Sequence, residues 1–175
     1  MDMREKKLEG EVLYKGHVVK LERDKVLCPN GNESYREIVR HNGGAAILYI
    51  ENNKVLLVKQ FRYAYNEFMY EIPAGKLELN EDPMEAAKRE LEEETGNKPL
   101  DTKPLGVIYP TCGYSSEKIY LYLVTKTEKT HTNFDPDEDI ESYYVDLDKV
   151  KQMILDGEIK DAKTICAINY YLLGR

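Results

Sequence analysis

Four glutamates, Glu90, Glu92, Glu93 and Glu94, fall within about one and a half turns if the chain around them is helical. Glu90 and Glu94 are then i,i+4 neighbours and Glu93 stands at i+3 from Glu90, so three carboxylates share one face. Like charges at that spacing destabilise a helix by roughly 0.2–0.5 kcal/mol per pair. Acidic groups at a helix C-terminus also oppose the macrodipole. A divalent cation reverses both penalties. Mg²⁺ is the natural partner, with Mn²⁺ as a substitute, because a hard ion takes a few carboxylates and completes its octahedron with waters and phosphate oxygens. An arbitrary run of acidic residues is ordinarily a solvated face. Here the surroundings argue otherwise: Gly75, Glu81, Arg89-Glu90-Leu91, Glu93-Glu94 and Gly96 form the pattern G-x5-E-x7-R-E-U-x-E-E-x-G, with U apolar. With residue frequencies averaging about one in fifteen, that set of identities arises by chance roughly once in 10⁷ starting points or less often.

For these carboxylates to act together, a helix must hold them, and its signals are in place. Asp82 suits the N-cap and Pro83 the first helical position. Met84, Ala86, Ala87 and Leu91 supply apolar positions over 82–94, and Gly96 is placed to end the helix in a left-handed cap. The flanking chain reads as strands. Residues 18–27 and 34–41 flank the turn cluster Pro29-Asn30-Gly31-Asn32, and 45–50 and 55–58 flank Glu51-Asn52-Asn53. The continuous apolar runs of the second pair suit strands buried on both faces. Further strands are expected at 68–72, 105–109, 118–125 and 142–145, and two closing helices at 148–155 and 162–173. A polar stretch over 126–139 is long for a structureless connection, and such loops are often functional. The pattern gives one α/β or α+β domain.

Composition narrows the partners. The chain has 175 residues, 42% of them hydrophobic, enough for one domain with a real core. A formal charge of −7 speaks against a nucleic-acid-binding surface, which needs clustered Lys and Arg. It is compatible with a polyphosphate ligand if a cation lies between. The N-terminus is too charged for a signal peptide, and no apolar run approaches the ~18 residues of a membrane span, so a cytoplasmic protein is expected. Cys28, Cys112 and Cys166 lack metal-site spacing and read as reduced thiols. His17, His41 and His131 lack ligand spacing too and read as structural or surface residues.

The Gly75–Gly96 pattern resembles the Nudix box, and the resemblance extends over nearly the whole chain through S-Y-R-E-I-V-R-H, V-K-Q-F-R-Y, E-I-P-A-G-K-L-E and D-A-K-T-I-C-A-I. These stretches resemble the ADP-ribose pyrophosphatase subgroup. The resemblance implies an α/β/α sandwich around a mixed central sheet. It implies a homodimer in which N-terminal antiparallel strands, residues 1–42, are exchanged, with the Nudix domain over 43–175 and residues around Gly16-His17-Val18 near the adenine. It implies that Glu90 and Glu94 ligate catalytic Mg²⁺, with Glu93 a further ligand or the base, and the Ala74 carbonyl an additional ligand. Gly75 and Gly96 shape the box, and Glu81 and Arg89 orient the metal carboxylates. Asn97 departs from the box at a position that is usually apolar and that packs rather than catalyses.

The implied reaction is hydrolysis of ADP-ribose to AMP and ribose 5-phosphate. By the same resemblance Arg36 and Arg62 contact phosphates and ribose, while Thr111 and Glu117 belong to the substrate loop, with Tyr114 able to pack there. Glu138, in Asp135-Pro136-Asp137-Glu138-Asp139, matches a catalytic glutamate and shares candidacy for the base with Glu93. Ordinary surface ion pairs remain the alternative for the two arginines, and a solvated loop for the acidic segment. The subgroup carries a marker proline where this chain has Cys112, although Pro110 lies two residues earlier. That departure keeps a second reading open, a pyrophosphatase for another nucleoside diphosphate sugar such as GDP-mannose. A non-catalytic nucleotide-sensing module is the third; the intact carboxylate set argues against it.

Overall fold

A computed structural model describes residues 2–134 and 139–174. The chain divides into two compact units, Met1–Gly43 with Tyr109–Lys118, and Gly44–Ile108 with Ile119–Arg175.

The larger unit is built on a mixed seven-stranded sheet. Its elements in chain order are β4 (Gly44–Glu51), β5 (Lys54–Arg62), β6 (Glu67–Glu71), β7 (Ala74–Lys76), helix α1 (Pro83–Thr95), β8 (Asn97–Pro99), β9 (Lys103–Ile108), β10 (Ile119–Val124), β11 (Thr127–Lys129), β12 (Ile140–Asp146), α2 (Leu147–Leu155) and α3 (Ala162–Leu172). The strand order is β12-β5-β4-β10-β9, with β6 on β5 and β7 on β4; β4 and β10 run parallel and the other pairs antiparallel. Every residue of β4 except Glu51 is buried. Alternation then sends its side chains into two cores. Ala45, Ile47 and Tyr49 meet Ala86, Ala87 and Leu91 of α1, while Ala46, Leu48 and Ile50 belong with Leu147, Val150, Met153, Ala167 and Ile168 of α2 and α3. Helices therefore cover both faces of the sheet: an α/β/α sandwich.

The smaller unit contains an antiparallel sheet of β1 (Lys6–Lys15), β2 (Lys20–Leu27) and β3 (Glu33–Arg40), in that order. Residues Tyr109–Lys118 group with it through a bridge between Val39 and Ser115. The Val39 N–H donates to the Tyr114 carbonyl at 2.8 Å, and the Ser116 N–H donates to the Val39 carbonyl at 2.9 Å.

The expected strands and helices form, with three differences. Residues 126–129 do not open a long structureless loop, because β11 pairs with β8 directly after α1. The short strand β7 separates the expected 68–72 strand from the helix and lies against β4. A strand at Lys6–Lys15 precedes the expected hairpin; it is exposed throughout, so burial leaves no alternation in its sequence.

Candidate active site

Helix α1 begins and ends through its own residues. The Asp82 side chain accepts from Met84 N at 2.9 Å and Glu85 N at 3.1 Å, and Gly96 closes the helix at φ 63°, its N–H donating to the Glu92 carbonyl at 2.8 Å. These caps fix where the last turn stops, and so where Glu90, Glu93 and Glu94 point. The reason for Gly75 is equally local. A Cβ at that position would collide with the Glu90 carboxylate, which occupies the space a side chain would fill. Glu94 is 4% exposed, and its Oε2 accepts from the Ala74 N–H at 3.3 Å. Two box carboxylates thus lie against the backbone of β7, beside the Ala74 and Gly75 peptide units.

Arg89 gathers the rest. Its Nε donates to Glu81 Oε1 at 3.1 Å, and its Nη1 lies 2.9 Å from Glu90 Oε1 and 2.8 Å from Glu93 Oε2. Burial lowers the Arg89 pKa, but the bond to Glu81 and the charges of Glu90 and Glu93 outweigh it and hold the guanidinium charged well above its ordinary range. Glu81 is raised by burial and lowered more by its bond to Arg89, with a net depression. Glu81 also accepts from Glu78 N at 2.8 Å, fixing the loop ahead of α1. Three carboxylates therefore share one guanidinium. Among the described residues, no group of three His, Cys, Asp or Glu side chains is already arranged around a metal position. In kind the donors fit a hard divalent cation: carboxylate oxygens of Glu90 and Glu94 packed where Gly75 makes room, next to the Ala74 peptide.

The last turn of α1 also holds part of the polar stretch at 130–133. Thr130 N donates to the Gly96 carbonyl and Asn133 N to the Glu93 carbonyl, both at 2.9 Å. A cavity of about 320 Å³ is lined by Arg89, Glu92, Glu93, His131 and Asn133. His131, expected as a structural or surface residue, is exposed and lines this cavity beside Glu93. Glu138 lies outside the described residues.

Arg62, at the end of β5, meets a buried carboxylate. Its Nε donates to Glu71 Oε1 at 2.6 Å and its Nη2 to Glu71 Oε2 at 2.7 Å, a bidentate pair. Lys163 of α3 also bonds Glu71 Oε2, and its Nζ lies 3.1 Å from Asp161 Oδ1. Burial raises the Glu71 pKa, but Arg62 and Lys163 together hold it below the ordinary carboxylate range. Thr164 binds the same strand end: Ile72 N donates to its Oγ1 at 2.8 Å, and its hydroxyl donates to Asp161 Oδ2 at 2.6 Å. Asp161 is also the N-cap of α3.

The other expected substrate residues lie in the smaller unit. Arg36 on β3 is ion-paired with Glu5 and donates to Ser34 Oγ at 3.0 Å and to the Tyr35 carbonyl at 2.8 Å. Thr111 opens a turn, its carbonyl accepting from Ser115 N at 3.0 Å. The Glu117 N–H donates to Ser115 Oγ at 3.1 Å, and its carboxylate lies 3.6 Å from His41 Nδ1. Cys112 is exposed in this turn.

Sequence reading passed over Glu71 and Lys163. A signal existed: on α3 Lys163 shares a buried face with Thr164, Ala167 and Ile168, and a charge at a core position calls for a buried partner. Asn97 was read as a packing residue. It is 1% exposed, with Nδ2 donating to the Thr95 carbonyl at 3.0 Å and Oδ1 accepting from the Tyr144 hydroxyl at 3.1 Å. An amide at this box position thus satisfies polar groups below the helix end.

Comparison with known proteins bears on the family and the fold. The NUDIX domain profile matches residues 40–168. The chain is 41% identical over 172 residues to a methanol dehydrogenase activator of Bacillus methanolicus, covering 97% of this chain and 93% of that one. It is 36% identical over 174 residues to an ADP-ribose pyrophosphatase of Bacillus subtilis, covering 98% and 94%. A GDP-mannose pyrophosphatase of Citrobacter koseri is 33% identical over 146 residues, covering 77% and 76%. Among solved structures, an ADP compounds hydrolase superposes with a TM-score of 0.89 at 18% identity, covering 98% of this chain and 94% of the other; at that identity it speaks for the fold.

Proposed function

The chain belongs to the Nudix hydrolase family, and from that premise we propose that it hydrolyses ADP-ribose to AMP and ribose 5-phosphate with Mg²⁺, for which Mn²⁺ substitutes. The observation that carries the reading is the α1 face, where Glu90 and Glu94 lie against β7 while Arg89 collects Glu81 and Glu93. Glu90, Glu94 and the Ala74 carbonyl would hold the ion, with Glu93 a further donor. Bound there, the ion neutralises the phosphate oxygens and makes water a competent nucleophile at neutral pH. Glu93 and Glu138 are the two candidates to take the proton from the attacking water at a carboxylate oxygen. Water forms a bond to phosphorus in line with the bridging oxygen, which leaves with the second phosphate. Arg89 keeps the carboxylates from repelling one another before substrate arrives. Arg62 and Arg36 contact the phosphates and ribose, and Thr111 and Glu117 line the substrate loop. The relatives named ADP-ribose pyrophosphatase support this substrate.

The proposed assembly is a homodimer in which the strand region, residues 1–42, is exchanged. Support comes from β1, whose Leu8, Val12, Leu13 and Tyr14 are all exposed. The proposed compartment is the cytoplasm, in keeping with three unpaired cysteines; among the described residues no helix is long and apolar enough to cross a membrane.

Product analysis with Mg²⁺ and a panel of ADP-ribose, ADP-glucose, GDP-mannose and diadenosine polyphosphates tests the reading. It stands if ADP-ribose gives AMP and ribose 5-phosphate fastest. It gives way to the sugar-nucleotide alternative, for which the GDP-mannose pyrophosphatase relatives speak, if another compound is preferred. A second reading rests on the 41% identity to the methanol dehydrogenase activator: action on a dehydrogenase. Methanol oxidation by a methanol dehydrogenase, with and without this chain, decides it.

A further inference from the structure

Glu71 lies outside the Gly75–Gly96 box, yet it is 2% exposed and holds two cations at once. Taking ions out of water is costly, and a buried pair is often no more stabilising than apolar residues of the same size. A charged knot of this kind therefore calls for a reason beyond holding the fold together, and its geometry supplies one. Glu71 grips Arg62 through both Nε and Nη2, which fixes the plane of the guanidinium and leaves Nη1 outside the grip. Lys163 bonds the same carboxylate oxygen that accepts from Nη2, so the carboxylate cannot turn freely. Asp161 anchors Lys163 and caps α3, and Thr164, the next residue along, accepts from the Ile72 N–H. Ile72 is two residues from Ala74, whose N–H donates to Glu94, and the Glu94 charge also bears on Arg62. Arg62 remains 39% exposed at its side chain while its partners are buried. One end of the knot is sealed in the core and the other faces outward.

We infer that Glu71, backed by Lys163, is a positioning residue that presents the Arg62 guanidinium in a fixed orientation to the phosphates of the nucleoside diphosphate substrate. The inference rests on the proposed reading that Arg62 contacts those phosphates. Arginine recognises phosphate through planar, paired donors, so an arginine held in its binding orientation loses less freedom when substrate arrives. Glu71 thereby acts on the substrate through Arg62, without touching it.

The test is a double-mutant cycle of Arg62→Ala and Glu71→Gln. ADP-ribose affinity is read by calorimetry in chelator without metal, so that no turnover intervenes, and kcat and KM are read with Mg²⁺. Glu71→Gln is expected to weaken binding roughly fivefold to twentyfold and to change kcat by less than about threefold. Combined with Arg62→Ala, it is expected to add less than about twofold further, because its effect passes through Arg62. Effects that multiply in the double variant overturn the inference, and so does Glu71→Gln with wild-type affinity. Should Glu71→Gln melt below the assay temperature, Lys163→Met replaces it; this variant keeps the Arg62–Glu71 bond and should weaken binding about twofold to fivefold, again only while Arg62 is present. Wild-type affinity in Arg62→Ala overturns the inference. If the wild type refuses ADP-ribose and cleaves another compound of the panel, the substrate reading falls alone, and the same cycle on that compound decides the role of Glu71.

Discussion

Two charged regions of the larger unit invite comparison. On the α1 face, Glu81, Glu90 and Glu93 surround one cation, Arg89, and Glu94 lies against the Ala74 backbone. In the knot between β5, β6 and α3, Arg62 and Lys163 meet Glu71 and Asp161, two charges of each sign. The first region carries an excess of negative charge at a half-open surface, and the second is balanced and largely buried. An unbalanced cluster repels itself, and a cation from solution relieves that repulsion, which favours binding one. A balanced cluster requires nothing further and is suited to holding a group still. The difference in charge count distinguishes the proposed metal site from the proposed support of Arg62.

The largest effect is expected where the imbalance is reduced. Glu94→Gln removes a charge from the proposed metal site while keeping the side-chain shape, and metal ligation supplies several kcal/mol of transition-state stabilisation. A loss in kcat on the order of 10³-fold is expected, as measured by AMP release under saturating Mg²⁺. Activity within tenfold of wild type would remove Glu94 from the metal site and with it the distinction between the regions.

Adding the cation is the converse experiment. Mg²⁺ at a hundredfold excess over its dissociation constant should stabilise the folded state by about 2.7 kcal/mol, seen as a rise in Tm. Glu94→Gln should show little of that rise. Lys163→Met, which leaves the α1 face intact, should show all of it. An equal response in the two variants would mean that the ion does not discriminate between the regions.

Breaking the balance of the knot comes next. Lys163→Met leaves Glu71 buried with one cation in place of two, at an expected cost of about 2 kcal/mol near neutral pH. The pH dependence has a definite sign. Glu71 is held below its ordinary value of 4.5 by Arg62 and Lys163 against the opposing effect of burial. Its contribution is therefore fully present above that ordinary value and is lost as pH falls through the depressed one. The gap between wild type and Lys163→Met in urea denaturation should close over the same acid range, because a protonated Glu71 no longer needs the ammonium. A gap that persists unchanged at low pH would assign the cost to lost packing of the lysine stem.

The two regions were unequally legible in the sequence. The α1 face could be read because its information is local: Asp82, Pro83 and Gly96 set the helix ends, and the carboxylates follow from i,i+3 and i,i+4 spacing. The strand β4 was equally clear, since burial on both faces leaves a continuous apolar run. The knot joins Glu71 to Lys163 across 92 residues, and no periodicity reports a contact at that separation. The pairing of β8 with β11 was hidden for the same reason, because three-residue strands carry too few side chains to show alternation. Arg62 was singled out by resemblance, but its sequence neighbours gave no hint of its buried partner. Placement of Tyr109–Lys118 with the N-terminal strands likewise depends on backbone hydrogen bonds to Val39, which any side chain there would permit.

The smallest expected effect isolates what an ion pair contributes when it belongs to neither region. Lys88 donates to Glu85 at 2.7 Å on α1, an i,i+3 pair whose glutamate is 66% exposed. It shares the helix with the carboxylates of the proposed metal site, and its geometry is as good as that of any pair on Arg89. Solvent screens it, and holding two long side chains in one arrangement costs entropy, so such pairs contribute at most about 0.5 kcal/mol. Lys88→Ala should therefore shift stability by no more than that in urea denaturation and leave kcat unchanged. A larger loss would mean that charge on α1 matters wherever it sits, and the contrast between the two regions would have to rest on burial alone. A null result leaves charge balance at a defined place as the property that distinguishes them.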